Sequence, residues 1–304
     1  MLPEDNLYRP QVVLLMDVLP LVAEERCFAL KGGTAINLFV RDLPRLSVDI
    51  DLTYVPVQDR TTSLAEVGKA LERMALSLEG QSKNIRVDRR RAEGEIVKLL
   101  AWRGPVRVKI EVSPVLRGCV REPVMRSVSP PVEAEFGYIE VPVLHLHDLY
   151  AGKLCAALDR QHPRDLFDVQ ILLEHEGVDD ELFEVFLVYL LSGDRSLADM
   201  LAPSRQPIGA VFEEQFRGMA LRPVSVNELE QTRETMIALI QTKLTDRHRQ
   251  FLLSFKRGEP DWKLLPVPGV ADLPAVQWKL QNVRRMAPAK REQAVERLRH
   301  VLYG

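Results

Sequence analysis

Apolar residues recur along this chain with two periods. Val13, Leu14, Met16 and Val18 follow helical spacing over 10–19, and Pro20 is expected to end or kink that helix. Residues 63–78 carry a second helical stripe of Leu64, Val67, Leu71, Met74 and Leu78; Ser63, with Glu66 three residues on, has the form of a capping box. Elsewhere the period falls to two, and 28–30, 48–52, 84–87, 95–102 and 106–112 read as strands. Alternation is strictest in the last, with Val106, Val108, Ile110 and Val112 on one side and Arg107, Lys109 and Glu111 on the other. Residues 53–60 read as a loop. The proline-rich stretch 113–143 reads as loops around one or two strands, clearest at 139–141, connecting two halves. Beyond it the pattern is helical: a helix to Arg160 capped by His147 or Asp148, one opening at Pro163, an apolar stretch at 182–191, a long periodic helix over 227–256 with a break near Thr245, and one or two more over 273–303. The expected class is α+β, with a domain at 1–143 built on a mixed sheet and a helical domain at 144–304.

The densest chemistry lies in residues 29–54. Gly32 and Gly33 allow close backbone approach, and the amides beyond them, with Thr34 opening the helical segment 35–40, suit phosphate oxygens. On a strand over 48–52, Asp49 and Asp51 share a face while Val48, Ile50 and Leu52 point into a core. Paired carboxylates repel unless a cation sits between them, and Mg²⁺ takes such oxygen ligands together with substrate phosphates. Taken singly, a Gly-Gly pair is a turn and Asp-x-Asp a solvated strand edge. In the order strand, turn, helix, strand they can meet at one end of a sheet. Glu111 is then either the outer face of an edge strand or a third carboxylate, and Arg107 and Lys109 either support phosphates or neutralise the acids.

A second cluster follows. Lys153 stands among Ala151, Gly152, Leu154, Cys155 and Ala156, either as a point charge for a triphosphate or as a helix lysine snorkelling to solvent. Asp165 and Asp168 share a helix face beside Arg164, as caps or as site residues. His145 and His147 have no second metal-ligand motif nearby and read as structural.

Lys31-Gly-Gly-Thr-Ala35 followed by Arg45-x-Ser-Val-Asp-Ile-Asp-Leu52 resembles the DNA polymerase β-like nucleotidyltransferases, and within them the AbiEii toxin family of bacterial toxin-antitoxin and phage-defence systems. Lys153-Leu-Cys-Ala156, Arg164-Asp-Leu-Phe-Asp168, Gly258-Glu-Pro-Asp-Trp262 and Pro274-Ala-x-x-Trp-Lys-Leu280 are similar to segments of that family and extend the resemblance over nearly the whole chain. The chain departs from many superfamily members in having Thr34 where they have Ser, and in a long gap before Asp49. The resemblance implies a polymerase β-like domain plus a helical domain that completes the active site. It implies transfer of a nucleotide from a nucleoside triphosphate, with Mg²⁺, to an RNA acceptor such as a tRNA 3′ end, and a cognate antitoxin. Asp49, Asp51 and Glu111 are then the metal-holding acids. Lys153 and Asp165 are essential to catalysis, and Gly32, Gly33, Thr34, Lys153, Arg164 and Asp168 hold the triphosphate. Other readings of the same residues are nucleotidyl modification of a protein or small molecule, and a non-catalytic nucleotide-binding regulatory module.

Composition narrows this picture. A chain of 304 residues with 46% hydrophobic residues can bury one large or two ordinary cores. Its 41 Lys and Arg against 43 Asp and Glu give a net charge of −2, so a nucleic-acid surface must be local. Two segments are locally basic: Lys83, Arg86, Arg89, Arg90 and Arg91 surround one Asp88, and the segment from Lys279 to His300 holds seven Lys or Arg, Lys279 included, against Glu292 and Glu296. Cys27, Cys119 and Cys155 are few and scattered, as in a reducing compartment. With no secretory leader and no apolar run of about 18 residues, a cytoplasmic protein without a membrane partner is expected.

Overall fold

The computed structural model describes residues 8–81 and 84–304. The chain divides into two compact units, 1–145 with 218–223, and 146–217 with 224–304. The first holds helix α1 (Arg9–Glu24), strand β1 (Phe28–Lys31), a short turn of helix α2 (Gly32–Thr34) that widens into a π-helical turn (Ala35–Val40), β2 (Asp49–Tyr54), α3 (Arg60–Gln81), β3 (Ile85–Ala92), β4 (Glu95–Arg103), β5 (Val106–Arg117), β6 (Val124–Ser127), α4 (Pro130–Phe136) and β7 (Glu140–Val143). The strands form one mixed sheet in the order β3-β4-β5-β2-β1-β7-β6, with β2 parallel to β5, β1 parallel to β7 and the remaining pairs antiparallel.

Period two sorts this sheet into a buried and an open side. Ile85, Val87, Leu99, Ala101, Val108, Ile110, Ile50 and Leu52 are buried, and α1 and α3 pack on the strands that carry them. Leu64, Val67, Leu71, Met74 and Leu78 give α3 its buried stripe, as their spacing predicts. Residues 218–223 belong to this unit by hydrogen bonding: Leu46 N donates to Met219 O and Leu221 N to Pro44 O.

Several local expectations are revised. α1 runs through Pro20 to Glu24. Leu21 and Val22 are almost fully buried beyond the proline, and that burial offsets the roughly 3 kcal/mol a helical proline costs. α3 starts at Arg60, ahead of Ser63. Asp59 Oδ1 accepts from Thr62 N at 3.0 Å, Ser63 donates back to the Asp59 carbonyl, and Glu66 accepts from Tyr54 Oη instead of closing a capping box. β2 extends to Tyr54 and β5 to Arg117. Pro114 is accommodated because the β2–β5 register slips between Leu52 and Tyr54. The stretch 113–143 is therefore sheet and helix of the first unit instead of a connection; Pro130 and Pro131, read as breakers, open α4, where missing N–H groups cost nothing.

The second unit is helical: α5 (Leu146–Arg160), α6 (Pro163–Glu174), α7 (Asp180–Ser192), α8 (Leu197–Leu201), α9 (Gly209–Gln215), α10 (Val226–Lys243), α11 (Asp246–Arg257), α12 (Pro274–Arg285) and α13 (Pro288–Tyr303). The break expected near Thr245 is real, for Thr245 caps α11. The Gly258–Trp262 turn closes α11 with a left-handed Gly258, and Trp262 packs on Phe251 at 5.5 Å between ring centres. Lys279 is buried, and its ammonium donates to the carbonyls of Gly193 and Arg195 where α7 ends. Among the described residues no helix is long and apolar enough to cross a membrane.

Candidate functional site

In the first unit the glycine turn and the Asp-x-Asp strand are in contact. Lys31 pairs with Asp51 across β1 and β2, and the chain then turns at Gly32 with φ +74°. A Cβ on Gly32 would lie 2.7 Å from Asp51 Oδ2, so only glycine lets the turn approach that carboxylate. A Cβ on Gly33 would meet Arg45 Nη2 at 2.7 Å and Ser47 Oγ at 2.9 Å. Thr34 is buried; its hydroxyl donates to the Asp49 carbonyl and lies 3.0 Å from Ser47 Oγ. The Thr34 side chain thus ties the turn to β2, and the groups of this turn suited to an anion are backbone amides. Asn37 donates to Gly33 O at 2.8 Å, bracing the turn from the π-helical side.

Asp49 and Asp51 share the open face of β2, each part-exposed, while Ile50 and Leu52 are fully buried. On parallel β5, Lys109 stands opposite Asp49 and Glu111 opposite Asp51. Lys109 Nζ lies 3.0 Å from Glu111 Oε2 and 3.8 Å from Asp49 Oδ2, and Lys98 Nζ lies 2.9 Å from Glu111 Oε1. Burial alone would raise the Glu111 carboxyl, but hydrogen bonds from Lys98 and Lys109 outweigh it and hold Glu111 below the usual carboxylate range. Burial likewise favours neutral Lys109, yet Glu111, Asp49 and Asp51 together keep its pKa above the ordinary lysine value. Lys31 differs: burial dominates and lowers it, although Asp51 and Glu111 pull the other way. Of the two roles open to Lys109, neutralising the acids is the one seen. Arg107 instead lies over the Trp102 ring, 5.4 Å from its centre.

Among the described residues no group of three or more His, Cys, Asp or Glu side chains is gathered as a metal cage. The donor set nevertheless suits Mg²⁺: two hard carboxylates on one strand face, beside a turn cut back to glycine so that Asp51 Oδ2 is approachable. Glu111 reaches the same face with both oxygens already held by lysines.

The second unit gathers the other cluster. Lys153 is 6% exposed, so it does not snorkel. Its ammonium lies 2.8 Å from Asp165 Oδ1 and 2.9 Å from Asp168 Oδ2, both aspartates being buried. Arg160 adds hydrogen bonds to Asp165 from Nε and Nη2. Burial pushes the Asp165 carboxyl up, but Lys153 and Arg160 overcome it and hold Asp165 well below the usual range. Pro163 opens α6 as expected, and His162 caps it by accepting from Arg164 N. The Arg164 side chain is half-buried and stands in the first turn of α6. Asp148, expected as a cap, is buried within the first turn of α5 and accepts from Tyr189 Oη at 2.9 Å.

Sequence reading overlooked Lys31, Arg45 and Arg160 as parts of these clusters. Lys31 and Arg45 border the quoted motif, so their position was the available signal; Arg160 carries no such mark.

With this geometry established, the comparisons decide the family. The family described as nucleotidyl transferase AbiEii toxin, type IV toxin-antitoxin system, matches residues 13–282. The chain belongs to the AbiEii family. It is accordingly a nucleotidyltransferase toxin of a type IV toxin-antitoxin system, which implies a nucleoside triphosphate substrate and a cognate antitoxin. Among solved structures, MenT4, a nucleotidyltransferase toxin from Mycobacterium tuberculosis H37Rv, superposes with a TM-score of 0.61 at 16% identity, covering 95% of this chain and 92% of its own. At that identity the likeness speaks for the fold, which is the α+β fold of that toxin. Comparison with curated proteins returned no match.

Proposed function

We propose that this AbiEii toxin transfers a nucleoside monophosphate from a nucleoside triphosphate to the 3′ end of a tRNA in a Mg²⁺-dependent reaction. The observation that carries the proposal is the contact of the Gly32 turn with Asp51, on the face shared by Asp49 and Glu111. The acceptor hydroxyl attacks the α-phosphorus in line; an O–P bond forms, the bond to pyrophosphate breaks, and the hydroxyl proton leaves to solvent. Asp49 and Asp51 would hold Mg²⁺, with Glu111 as the further acid once its lysines turn to the phosphates. The metal, when bound, supplies charge neutralisation at the attacking and leaving oxygens. Backbone amides at Gly33 and Thr34 suit the phosphate oxygens, and Lys109, 3.8 Å from Asp49 Oδ2, is a cation on the same face to accompany them.

The family resemblance assigns Lys153 and Asp165 to the same chemistry, with Arg164 and Asp168 in support. What supports this is that two buried aspartates hold Lys153 as a fixed point of charge. A lysine placed in this way is pre-organised for a phosphate group. The proposed division is a domain of 1–143 that binds metal and triphosphate and a domain of 144–304 that completes the active site, acting in the cytoplasm.

The test is incubation of the purified protein with Mg²⁺, total bacterial tRNA and each α-labelled nucleoside triphosphate in turn, beside an Asp49→Ala, Asp51→Ala control. Label on tRNA with the parent and none with the control is the expected result. Label on a protein or metabolite of an added lysate, with tRNA unlabelled, would refute the tRNA acceptor and keep the chemistry. Equal transfer by the control would refute the roles of the two aspartates.

A further inference from the structure

The open face that carries the acids does not end at β5. Its rows continue across β4 to β3, where their character changes from acidic to basic and aromatic. In register, Asp51 stands beside Glu111, Glu111 beside Lys98, and Lys98 beside Arg90; two rows along the same face, beyond the row of Asp49, Lys109, Leu100 and Asp88, Arg107, Trp102 and Arg86 face each other across β5, β4 and β3. The guanidinium carbons of Arg86 and Arg107 lie 5.6 and 5.4 Å from the centre of the Trp102 ring, one from each neighbouring strand. The Trp102 ring is oriented by its indole N–H, which donates to Asp88 Oδ2 at 3.0 Å, and Asp88 also lies 3.7 Å from Arg86. The Arg86 side chain is 72% exposed, and Arg90 and Arg107 are exposed. The covered side of the same strands is occupied by α3, whose Glu72 and Glu79 hold Arg89. Of the basic segment that begins at Lys83, Arg89 is thus structural, Arg86 and Arg90 are presented on the open face, and Lys83 lies outside the described residues.

We propose that β3, β4 and β5 form a docking platform for a single-stranded polynucleotide whose 3′ hydroxyl end lies at Asp49 and Asp51. This rests on the reading of the site as a transferase acting on RNA. Three planar groups side by side, two of them cationic, are the surface on which unpaired bases stack and to which phosphates are drawn. An open sheet face that presents aromatic and guanidinium planes suits unstacked bases. The order of charge sets the polarity of the strand. Acids would repel a phosphate-bearing segment, so the chain end without a following phosphate belongs at Asp49 and Asp51, and the phosphates behind it at Arg107, Arg86 and Arg90. Trp102 lies two strands across from Asp49 and two residues along β4 from Leu100, the residue in register with it, an offset of roughly 12 Å that keeps the stacked base close behind the reacting end. A net charge of −2 is no obstacle, since the attraction is local and acts within a Debye length.

The experiment uses the full chain with a fluorescein-labelled single-stranded RNA of mixed sequence, a duplex RNA and heparin as probes, alongside binding of an α-labelled nucleoside triphosphate with Mg²⁺. Trp102→Ala is expected to weaken single-strand binding by ~5- to ~150-fold, the range of one base–aromatic stack, with Trp102→Phe close to the parent and triphosphate binding unchanged in both. Arg86→Gln with Arg107→Gln is expected to flatten the dependence of log affinity on log salt by about 0.7 per lost phosphate contact. If Trp102→Ala proves unstable, this double variant carries the test. Single-strand binding by the parent that neither substitution alters would overturn the platform while leaving the RNA transferase reading intact. Duplex and heparin binding as tight as the single strand, indifferent to Trp102, would overturn it in favour of a surface for an acidic protein. Failure of the parent to bind or label any RNA would remove both the platform and the acceptor assignment.

Discussion

Gly32 and Asp51 occupy one another's space: the position a Gly32 Cβ would take is 2.7 Å from Asp51 Oδ2. The glycine at the turn and the carboxylate nineteen residues later are therefore one feature. β1 and β2 are antiparallel neighbours with Lys31 opposite Asp51, so the turn leaving β1 arrives beside that carboxylate by register alone.

Gly32→Ala should damage function more than stability. The left-handed φ of +74° costs an alanine about 1–2 kcal/mol, a shift of several degrees in thermal midpoint. Its methyl also displaces the Asp51 carboxylate, so nucleotide transfer should fall at least about tenfold, a barrier increase of ~1.4 kcal/mol. Gly33→Ala meets only side-chain atoms of Arg45 and Ser47 and has ordinary φ, so it should be the milder change. Thermal melts and initial rates on both proteins check the order; a Gly33→Ala more damaging than Gly32→Ala would contradict it.

Metal linkage gives a test that does not need turnover. A ligand that binds the folded state alone stabilises it by about 2.7 kcal/mol at a hundred times its dissociation constant. Raising Mg²⁺ should therefore raise the melting temperature of the parent, and Asp49→Asn, Asp51→Asn should abolish the rise while remaining folded. Chelation should stop transfer and added Mg²⁺ restore it. A doubly substituted protein that still gains stability from Mg²⁺ would place the metal elsewhere.

Lys153 is held by two aspartates in a dry setting, so its removal leaves uncompensated buried charge. Lys153→Met should cost about 3–5 kcal/mol, and adding Asp165→Asn and Asp168→Asn should recover much of it, since the stranded charges are then gone. The acid limb follows from the same pair. The folded pKa of Asp165 is lowered and the unfolded one is near ~3.9. Above the unfolded value its stabilisation is complete; as pH falls through that value towards the lower folded one, the unfolded chain binds the proton first and the contribution is lost. Denaturant melts between about pH 5 and pH 2 should show a shallower loss in Asp165→Asn than in the parent.

The readable parts of this chain are those where one local pattern decides one face. Val108, Ile110 and Val112 alternate with Lys109 and Glu111, and the structure keeps that alternation, so the face of Glu111 is legible in the sequence, while its place opposite Asp51 depends on β2 pairing with β5. What stayed hidden depends on partners distant in sequence. Pro20 looks terminal because burial of Leu21 and Val22 cannot be read from a helix's own residues. Ser63 and Glu66 match a capping box in spelling, but Asp59 takes the first turn and Tyr54 takes Glu66. The occupation of Glu111 by Lys98 required knowing that β4 pairs with β5. Lys153 illustrates both sides: its unusual apolar neighbours mark it, yet its contact with Asp165 and Asp168 depends on how α5 and α6 pack.

Lys279 offers a prediction at the opposite end of the pH scale. It sits in the Trp-Lys-Leu segment of α12, and its ammonium serves the carbonyls of Gly193 and Arg195 at the end of α7. Burial, with nearby Lys256 adding to it, lowers its pKa to about 8, against 10.5 for a free lysine. Below pH 8 the side chain is protonated folded and unfolded, and the penalty for burying the charge is paid in full. Between pH 8 and about 10.4 the unfolded chain holds the proton and the folded one does not, so this group's contribution to stability rises with pH. The gain is at most about 3 kcal/mol at ~1.4 kcal/mol per unit. Denaturation midpoints from pH 7.5 to 10.5 should therefore fall less steeply in the parent than in Lys279→Met, once tyrosine and other lysine titrations common to both are subtracted. Identical slopes in the two proteins would mean that the two carbonyl hydrogen bonds keep Lys279 charged throughout, and the C-terminal end of α7 would then be held by a permanent cation.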